Sequence, residues 1–180
     1  MFKYLSFEDT LSMLVDPTSK EPLVLQDKFL IKKSGTTKYP LLSNNSPLLF
    51  PEEVIPYCGS DGIKLQQVIS SKKAILQYMG ISYVKWVGWD HNSSPNDDCY
   101  KEYLISFKKL VEDAKGGYLD IGCDDTQNFS EIFNNNIEYV GLDPLYFYPS
   151  EKFKIFSIAE FLPFKNNSFD NVCFGTSLDH

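Results

Sequence analysis

The hydrophobic positions of this chain are most regular near the start of its last third, where they predict alternating elements. An apolar run begins at Tyr118 and contains one acid, Asp120, before a glycine and a polar turn. The next stretch, 128–133, places apolar residues at i, i+3 and i+4, and a second apolar run, 137–142, ends at Asp143. These periods predict a buried strand, a tight turn, a helix and a second strand.

An acid therefore ends each of two neighbouring predicted strands. The carboxyl ends of parallel strands form one edge of a sheet, and mononucleotide-binding α/β units hold their ligand at that edge. Asp143 follows the turn at Gly122 by about 20 residues, the usual spacing for an acid that binds the hydroxyl groups of a ribose. The pattern therefore predicts a nucleotide-type site that contains Asp120 and Asp143.

The segment 118–125 resembles the first motif of the class I S-adenosylmethionine-dependent methyltransferases. In that family an acid lies two residues before the first glycine, as Asp120 lies before Gly122, whereas dinucleotide-binding Rossmann proteins have no carboxylate there. One departure is that Asp124 and Thr126 stand near the places of the family's later glycines. The alternative interpretation is an ordinary α/β turn in which Asp124 or its neighbour caps the helix.

A second stretch resembles the small-molecule methyltransferases of the same family. Residues 159–170 contain Ala-Glu-x-Leu-Pro-Phe followed by Ser-Phe-Asp, and the resemblance implies that the residues around Ala-Glu lie beside the adenine. The family often has an aspartate just before that alanine, where this chain has Ile158. Phe-Asp would begin the fourth strand, which continues through 171–175 and brings Thr176 to its carboxyl end.

The two matches together imply an α/β fold with a Rossmann-like parallel sheet. The implied strand order is 3-2-1-4, with Phe153–Ile158 in the third strand and the sheet incomplete at the C-terminus. The resemblance implies S-adenosylmethionine as the cofactor and assigns no catalytic residue. The cofactor-binding residues that it implies are Asp120, Gly122, Cys123, Asp124, Asp143, Pro144, Ala159, Glu160, Phe161 and Thr176.

Residues 1–58 form a separate β-rich segment in this interpretation. Its skeleton is similar to the small zinc-ribbon-like domain found ahead of some methyltransferases and in activator proteins of tRNA methyltransferases. Asp16 and Ser19 stand where that domain has its first cysteine pair, and the second pair would fall near Lys33 and Thr37. We therefore predict no zinc and a segment held by its own small core, with an unrelated three-stranded cap as the alternative. The predicted strands contain Leu23–Leu25, Phe29–Ile31 and Leu48–Phe50.

Residues 59–115 form a helical connecting region in the predicted organisation, and residues 116–180 form the Rossmann-like region. Apolar stripes predict one helix over Ser60–Met79 and another that ends at the glycine pair before the first strand. The aromatic segment between them, Tyr83–His91, contains both tryptophans. Packing of the front segment against the α/β region is the preferred role, and a substrate pocket with His91 as a base is the alternative.

Composition narrows the classes of partner. The 180 residues carry a net charge of −7, and all 17 basic residues are lysines. An acidic chain without arginine lacks a bidentate grip on phosphates, so we expect no nucleic-acid partner. The four cysteines form no CxxC pair, and no apolar run reaches the length of a membrane helix. We therefore expect no metal, no membrane and a cytoplasmic protein.

Three functional classes are compatible with these features. The first is an S-adenosylmethionine-dependent methyltransferase, or its cofactor-binding half, acting on an unidentified small-molecule acceptor. The second is a non-catalytic methyltransferase-like binding or regulatory subunit, and the third, disfavoured by Asp120, is a nicotinamide-dependent enzyme. Because the sequence stops after the predicted fourth strand, we expect a fragment of a longer protein or a partner chain, most simply a second copy, on that strand's edge.

Overall fold

The computed structural model describes residues 2–35, 37–51, 102, 105–109, 111–123, 133, 136–143 and 153–174. The strands in these residues are β1 (Lys3–Tyr4), β2 (Leu23–Gln26), β3 (Phe29–Lys32), β4 (Lys38–Pro40), β5 (Gly116–Ile121), β6 (Ile137–Leu142) and β7 (Asn171–Phe174). Helical structure there comprises α1 (Phe7–Leu11), a 3-10 turn (Ala159–Phe161) and residues 102 and 105–109. None of the described helices is long and apolar enough to cross a membrane.

Three of the predicted strands are neighbours in a parallel sheet. The apolar runs of β5 and β6 pair along their whole length, from Gly116 opposite Ile137 to Ile121 opposite Leu142. β7 pairs in parallel with the other side of β5. The sheet has four strands in the order β1-β6-β5-β7, so the prediction of a parallel sheet is confirmed.

The remaining member of this sheet comes from the beginning of the chain and not from the predicted third strand, Phe153–Ile158. β1 pairs in parallel with the first half of β6, and Leu5 N donates to Tyr139 O at 2.9 Å. A two-residue strand carries almost no periodic signal, so the pattern of hydrophobic residues did not predict β1.

The segment predicted as the third strand touches the second half of β6 at a single residue. Ile155 N donates to Gly141 O at 2.9 Å, which makes an isolated parallel bridge. The next residue bonds elsewhere, because Phe156 N donates to Pro47 O at 3.0 Å and Phe156 O accepts from Leu49 N at 2.8 Å. The Tyr139 carbonyl of β6, which a longer ladder would use, accepts from Leu5 N at 2.9 Å, so β1 occupies the first half of β6.

The front segment contains a three-stranded antiparallel sheet in the order β2-β3-β4. β2 and β3 confirm the strands predicted at Leu23–Leu25 and Phe29–Ile31, and Asp27 turns between them with φ at 54°, a conformation that aspartate tolerates. The stretch Leu48–Phe50, predicted as a strand, makes only an isolated bridge to Phe156. The prolines that flank it have no N–H to donate to a ladder.

The parallel sheet buries a different cluster on each face, as the alternation of side chains along β5 and β6 requires. The first core joins Leu14, Leu30, Tyr39 and Leu49 of the front segment to Leu119, Ile121, Val140 and Leu142 of the sheet. The second contains Phe107, Val111, Tyr118, Phe133, Ile137 and Tyr139. The expectation that the front segment is held by its own core is therefore wrong, because that segment and the sheet share one core. The predicted boundary at residue 58 lies outside the described residues, as do the predicted helix at 60–79 and the aromatic segment at 83–91.

β7 has a partly exposed apolar surface. Val172 and Phe174 alternate with Cys173, and their side chains are 53% and 37% exposed. Among the described strands β7 lies at the edge of the parallel sheet. Pairing of this edge with a second copy of the chain stays a prediction.

Asp16 is a buried carboxylate of the front segment. Oδ1 of Asp16 accepts from Thr18 N at 3.0 Å and from Ser19 N at 2.6 Å. Oδ2 accepts from the Tyr39 hydroxyl at 2.6 Å and lies 3.4 Å from Lys32 Nζ. Burial acts to raise the pKa of Asp16, but the hydrogen bonds from Tyr39, Ser19 and Thr18 hold it below the ordinary value. One side chain thus joins the first turn to β3 and β4.

Candidate functional site

Two acidic residues meet at the carboxyl edge of the parallel sheet. Asp120 is the fifth residue of β5, and Asp143 directly follows the end of β6. Both side chains are buried, and they are close enough for the charge of Asp143 to affect the titration of Asp120. The prediction that these acids share one edge of a parallel sheet is confirmed.

A glycine turn lies directly beside the two acids. Gly122 has φ at 79°, a left-handed conformation that glycine adopts without a steric penalty. Its N–H donates to Leu142 O at 2.8 Å, and the N–H of Cys123 donates to the same oxygen at 3.3 Å. The turn after β5 therefore stays hydrogen-bonded to the end of β6. The Cys123 side chain is buried, so Cys123 contributes its backbone to this edge.

The carboxylate of Asp120 is held by a tyrosine of the neighbouring strand. The Tyr139 hydroxyl donates to Asp120 Oδ2 at 2.6 Å, and the two residues are 1% and 2% exposed. In the parallel register Tyr139 lies opposite Tyr118, while Asp120 lies opposite Gly141. The long phenol side chain reaches diagonally along the sheet, where glycine leaves room beside the carboxylate.

The surroundings make Asp120 an unusually weak acid for an aspartate. Burial, which penalises the charged form, is the main reason that the pKa of Asp120 is raised to about 6, and the charge of Asp143 adds to it. The hydrogen bond from Tyr139 acts in the opposite direction. Burial and the charge of Asp120 raise the pKa of Tyr139 well above its ordinary value, so the phenol remains a donor. Asp120 therefore changes its charge within the physiological pH range.

The predicted residues Ala159, Glu160 and Phe161 follow a segment that is hydrogen-bonded to Asp143. Asp143 N donates to Ile155 O at 3.0 Å, and the chain then runs through Ser157 into the turn Ala159–Phe161. The Ser157 hydroxyl donates to Leu49 O at 2.7 Å and fixes this passage to the front segment. Ala159 and Glu160 are exposed, and Phe161 is half-buried.

The structure brings together some of the predicted residues and leaves others outside the described part of the chain. Asp120, Gly122, Cys123 and Asp143 share one edge of the sheet. Ala159, Glu160 and Phe161 follow Ile155, which bridges to that edge. Asp124, Pro144 and Thr176 lie outside the described residues. Within the described part, no three His, Cys, Asp or Glu side chains are grouped so that they could hold a metal ion.

Tyr139 is the residue of this edge that the sequence analysis missed. It belongs to a mainly apolar run that predicts a buried strand, so its hydroxyl gave no separate signal. In the observed register Gly116 lies opposite Ile137, which places Tyr139 opposite Tyr118, two residues from Asp120 on the same face. The contact of Tyr139 with Asp120 depends on the register of β6 against β5 and cannot be read from the amino-acid composition of either strand.

No protein-family model matches this chain, and a search of curated proteins finds no match.

Proposed function

We propose that the carboxyl edge of the parallel sheet binds S-adenosylmethionine, and that the chain is a methyltransferase, or the cofactor-binding half of one, acting on a small-molecule acceptor. The observation that carries the proposal is the position of Asp120, Gly122 and Asp143. Two acids and a left-handed glycine lie at the ends of adjacent parallel strands, where open α/β sheets bind their ligands.

The chemistry of these residues fits this cofactor. S-adenosylmethionine carries an ammonium and a sulfonium, and both cations favour a carboxylate as their neighbour. On this proposal Asp143 accepts hydrogen bonds from two ribose hydroxyls, and Gly122 allows the ligand to approach the backbone closely. A dinucleotide carries a pyrophosphate instead, which a carboxylate at Asp120, beside the glycine turn, would repel.

We further propose that the sheet has the Rossmann-like order 3-2-1-4, with the third position shared between two segments. β1 lies along the first half of β6, and Ile155 bridges to its second half. The β6-β5-β7 part of the sheet supports strands 2, 1 and 4 of that order. On this proposal the passage from Ile155 to Phe161 lines the adenine side of the ligand.

The chain's own residues would bind and orient the cofactor. When it is bound, S-adenosylmethionine supplies a methyl group that passes from sulfur to a nucleophile held in line with the carbon–sulfur bond. Positioning of the two reactants provides most of the acceleration in such a transfer. Asp143 would fix the ribose, Asp120 would accept from the methionine end, and the turn at Gly122 would set their distance.

A non-catalytic, ligand-binding relative is the second candidate function. It is favoured by Asp124 and Thr126, which stand near the places of the family's later glycines. A side chain at such a position takes up space next to the ligand. A methyl-transfer assay with the full gene product and a panel of small nucleophiles separates the two candidates.

Isothermal titration calorimetry tests the cofactor assignment directly. The three probes are S-adenosylmethionine, S-adenosylhomocysteine and NAD, each titrated at pH 8, where Asp120 is ionised. We expect the two methyltransferase ligands to bind and NAD to give no heat. Binding of NAD alone, or of none of the three, overturns the proposal.

The first substitution to test is Asp143→Ala. It leaves two ribose hydroxyls without a charged acceptor, so we expect cofactor binding to weaken by about 1.5–3 kcal/mol. Asp143→Asn, which keeps the size and an acceptor oxygen, should lose less. Glu138→Gln is the matched control, because it removes an exposed carboxylate from β6, the strand that Asp143 follows. Equal affinity in Asp143→Ala and Glu138→Gln, measured by calorimetry on variants with intact thermal unfolding, would contradict the assignment.

A further inference from the structure

We propose that Tyr139 is a positioning residue that makes ligand binding at this edge proton-linked, with a cationic ligand displacing a proton from Asp120. This inference rests on the proposed function, because it concerns the same site. It adds a residue that the motif does not contain and a pH dependence that the motif does not imply.

The first step of the argument is the geometry of the hydrogen bond. The phenol of Tyr139 donates to Oδ2 of Asp120 at 2.6 Å, and both side chains are almost entirely buried. Among the described residues no other hydrogen bond to this carboxylate is present. Tyr139 therefore fixes one oxygen, and Oδ1 remains to carry the proton of the neutral acid or to accept from a ligand.

The second step is that the Tyr139 ring cannot swing away from this position. It packs against the rings of Tyr4, Tyr118 and Phe133, whose centroids lie 5.3, 6.2 and 5.6 Å from its own. A donor held in an aromatic cluster keeps one direction towards its acceptor. The position of the Asp120 carboxylate is thus set by the packing of the second core.

The third step concerns the charges around Asp120. Within the described part of the chain, the titratable groups that interact with Asp120, or with its neighbours Tyr139 and Cys173, come from β1, β5, β6 and β7 and from the residues that follow β5 and β6. They are Tyr4, Tyr118, Cys123, Tyr139, Asp143 and Cys173. Each of these side chains is neutral when protonated and negative when ionised, so none of them stabilises an Asp120 anion by opposite charge. Burial keeps the pKa of this carboxyl near 6, and a cation placed against Oδ1 would lower it.

The sign of the linkage follows from these charges. A ligand cation favours the carboxylate, so binding releases a proton wherever Asp120 is protonated in the free protein. The affinity for the cationic ligand should therefore be maximal above the pKa of Asp120 and fall by about tenfold for each pH unit below it. The Tyr139 bond lowers the pKa of Asp120, so its removal moves this window to higher pH.

Tyr139→Phe is the variant that separates positioning from packing, because it keeps the ring and removes the donor. Tyr118→Phe is its matched control, since it removes a buried hydroxyl of the same cluster from the strand that carries Asp120. Calorimetric titration with S-adenosylmethionine, at pH 6, 7 and 8 in two buffers of different ionisation enthalpy, counts the protons released. The same titration of Asp120→Asn measures the protons that come from the ligand's own groups.

We expect the unaltered protein to release about half a proton at pH 6 and almost none at pH 8. Ligand binding to Tyr139→Phe should release more protons at pH 6 and should still release protons at pH 7. Proton release by Tyr118→Phe should match that of the unaltered protein. Binding without proton release at pH 6 overturns the linkage. Equal release by Tyr139→Phe and the unaltered protein overturns the role of Tyr139.

A ligand-free measurement distinguishes a failure of this inference from a failure of the proposed function. Carbon-13 NMR of aspartate carboxyl groups follows the titration of Asp120, which is identified by the signal that Asp120→Asn removes. We expect a midpoint near 6 that rises in Tyr139→Phe. A midpoint near 4 in both proteins overturns the inference whatever binds, whereas the expected midpoints together with no binding of S-adenosylmethionine at pH 8 overturn the proposed function and, with it, the linkage.

Discussion

Replacement of Asp16 by alanine should lower the free energy of unfolding by about 3–5 kcal/mol, the range for breaking a buried ion pair from one side. The carboxylate is fully buried and accepts from two backbone N–H groups and the Tyr39 hydroxyl, with Lys32 Nζ at 3.4 Å. Alanine removes all of these contacts at once. Buried donors that lose their acceptor keep their desolvation cost, so the loss exceeds that of one hydrogen bond.

Denaturant unfolding at pH 7 measures this effect, and two further variants interpret it. Asp16→Asn keeps the shape and one acceptor oxygen, so it should lose less than alanine. Asp27→Asn is the matched control, because it removes an exposed carboxylate from the same segment and asparagine tolerates the left-handed backbone there. A loss below about 1 kcal/mol in Asp16→Ala would mean that the shared core alone holds the front segment.

The pH dependence of the Asp16 contribution has a definite direction. The folded pKa of Asp16 is lowered from 3.8, so the folded protein holds fewer protons than the unfolded chain in that range. The stability that Asp16 provides is therefore complete above its unfolded pKa and is lost as the pH falls through its folded pKa. Asp16→Ala and the unaltered protein should accordingly become more alike in strongly acidic solution.

The strands of the parallel sheet were predictable where their signal is local. β5, β6 and β7 each contain a run of apolar residues long enough to show its period, and the structure has all three. β1 has two residues, and it is a strand only because β6 offers free backbone groups beside it. The predicted third strand pairs with β6 only at Ile155, because β1, from a distant part of the chain, occupies the first half of β6.

The candidate site shows the same division between local and long-range information. Asp120, Gly122 and Asp143 were predictable because each ends or follows a strand, and their meeting at one edge follows from parallel pairing alone. The Tyr139 contact depends on the register of β6 against β5. Nothing in the sequence indicated that Asp16 would be buried against Tyr39, its partner 23 residues away, because that contact depends on the fold.

Replacement of Asp120 by asparagine should raise the free energy of unfolding at pH 8 by about 2–3 kcal/mol, although it removes a group of the proposed site. The folded pKa of Asp120 is about 6, against 3.8 for an ordinary aspartate. Each unit of difference corresponds to about 1.36 kcal/mol. Asparagine has nearly the same shape, keeps an oxygen that accepts from Tyr139, and never carries the charge that burial penalises.

The pH dependence of the difference in free energy of unfolding distinguishes removal of a buried charge from a general gain in packing. Between about pH 4 and 6 the folded protein binds more protons at Asp120 than the unfolded chain does, so this group's contribution to stability falls as the pH rises through that range. Above it the contribution is constant and unfavourable. Asp120→Asn and the unaltered protein should therefore unfold with similar free energies near pH 4 and differ most at pH 7 and above.

Denaturant unfolding at pH 4, 6 and 8 tests this prediction, with Asp113→Asn as a control that removes an exposed carboxylate just before β5. The control should change the free energy of unfolding by less than about 0.5 kcal/mol. A difference between Asp120→Asn and the unaltered protein that is equal at pH 4 and pH 8 would contradict the assigned cause. A stabilising asparagine that abolishes binding of S-adenosylmethionine would identify Asp120 as a residue whose charge costs stability and serves the ligand, which is the usual relation between stability and a binding site.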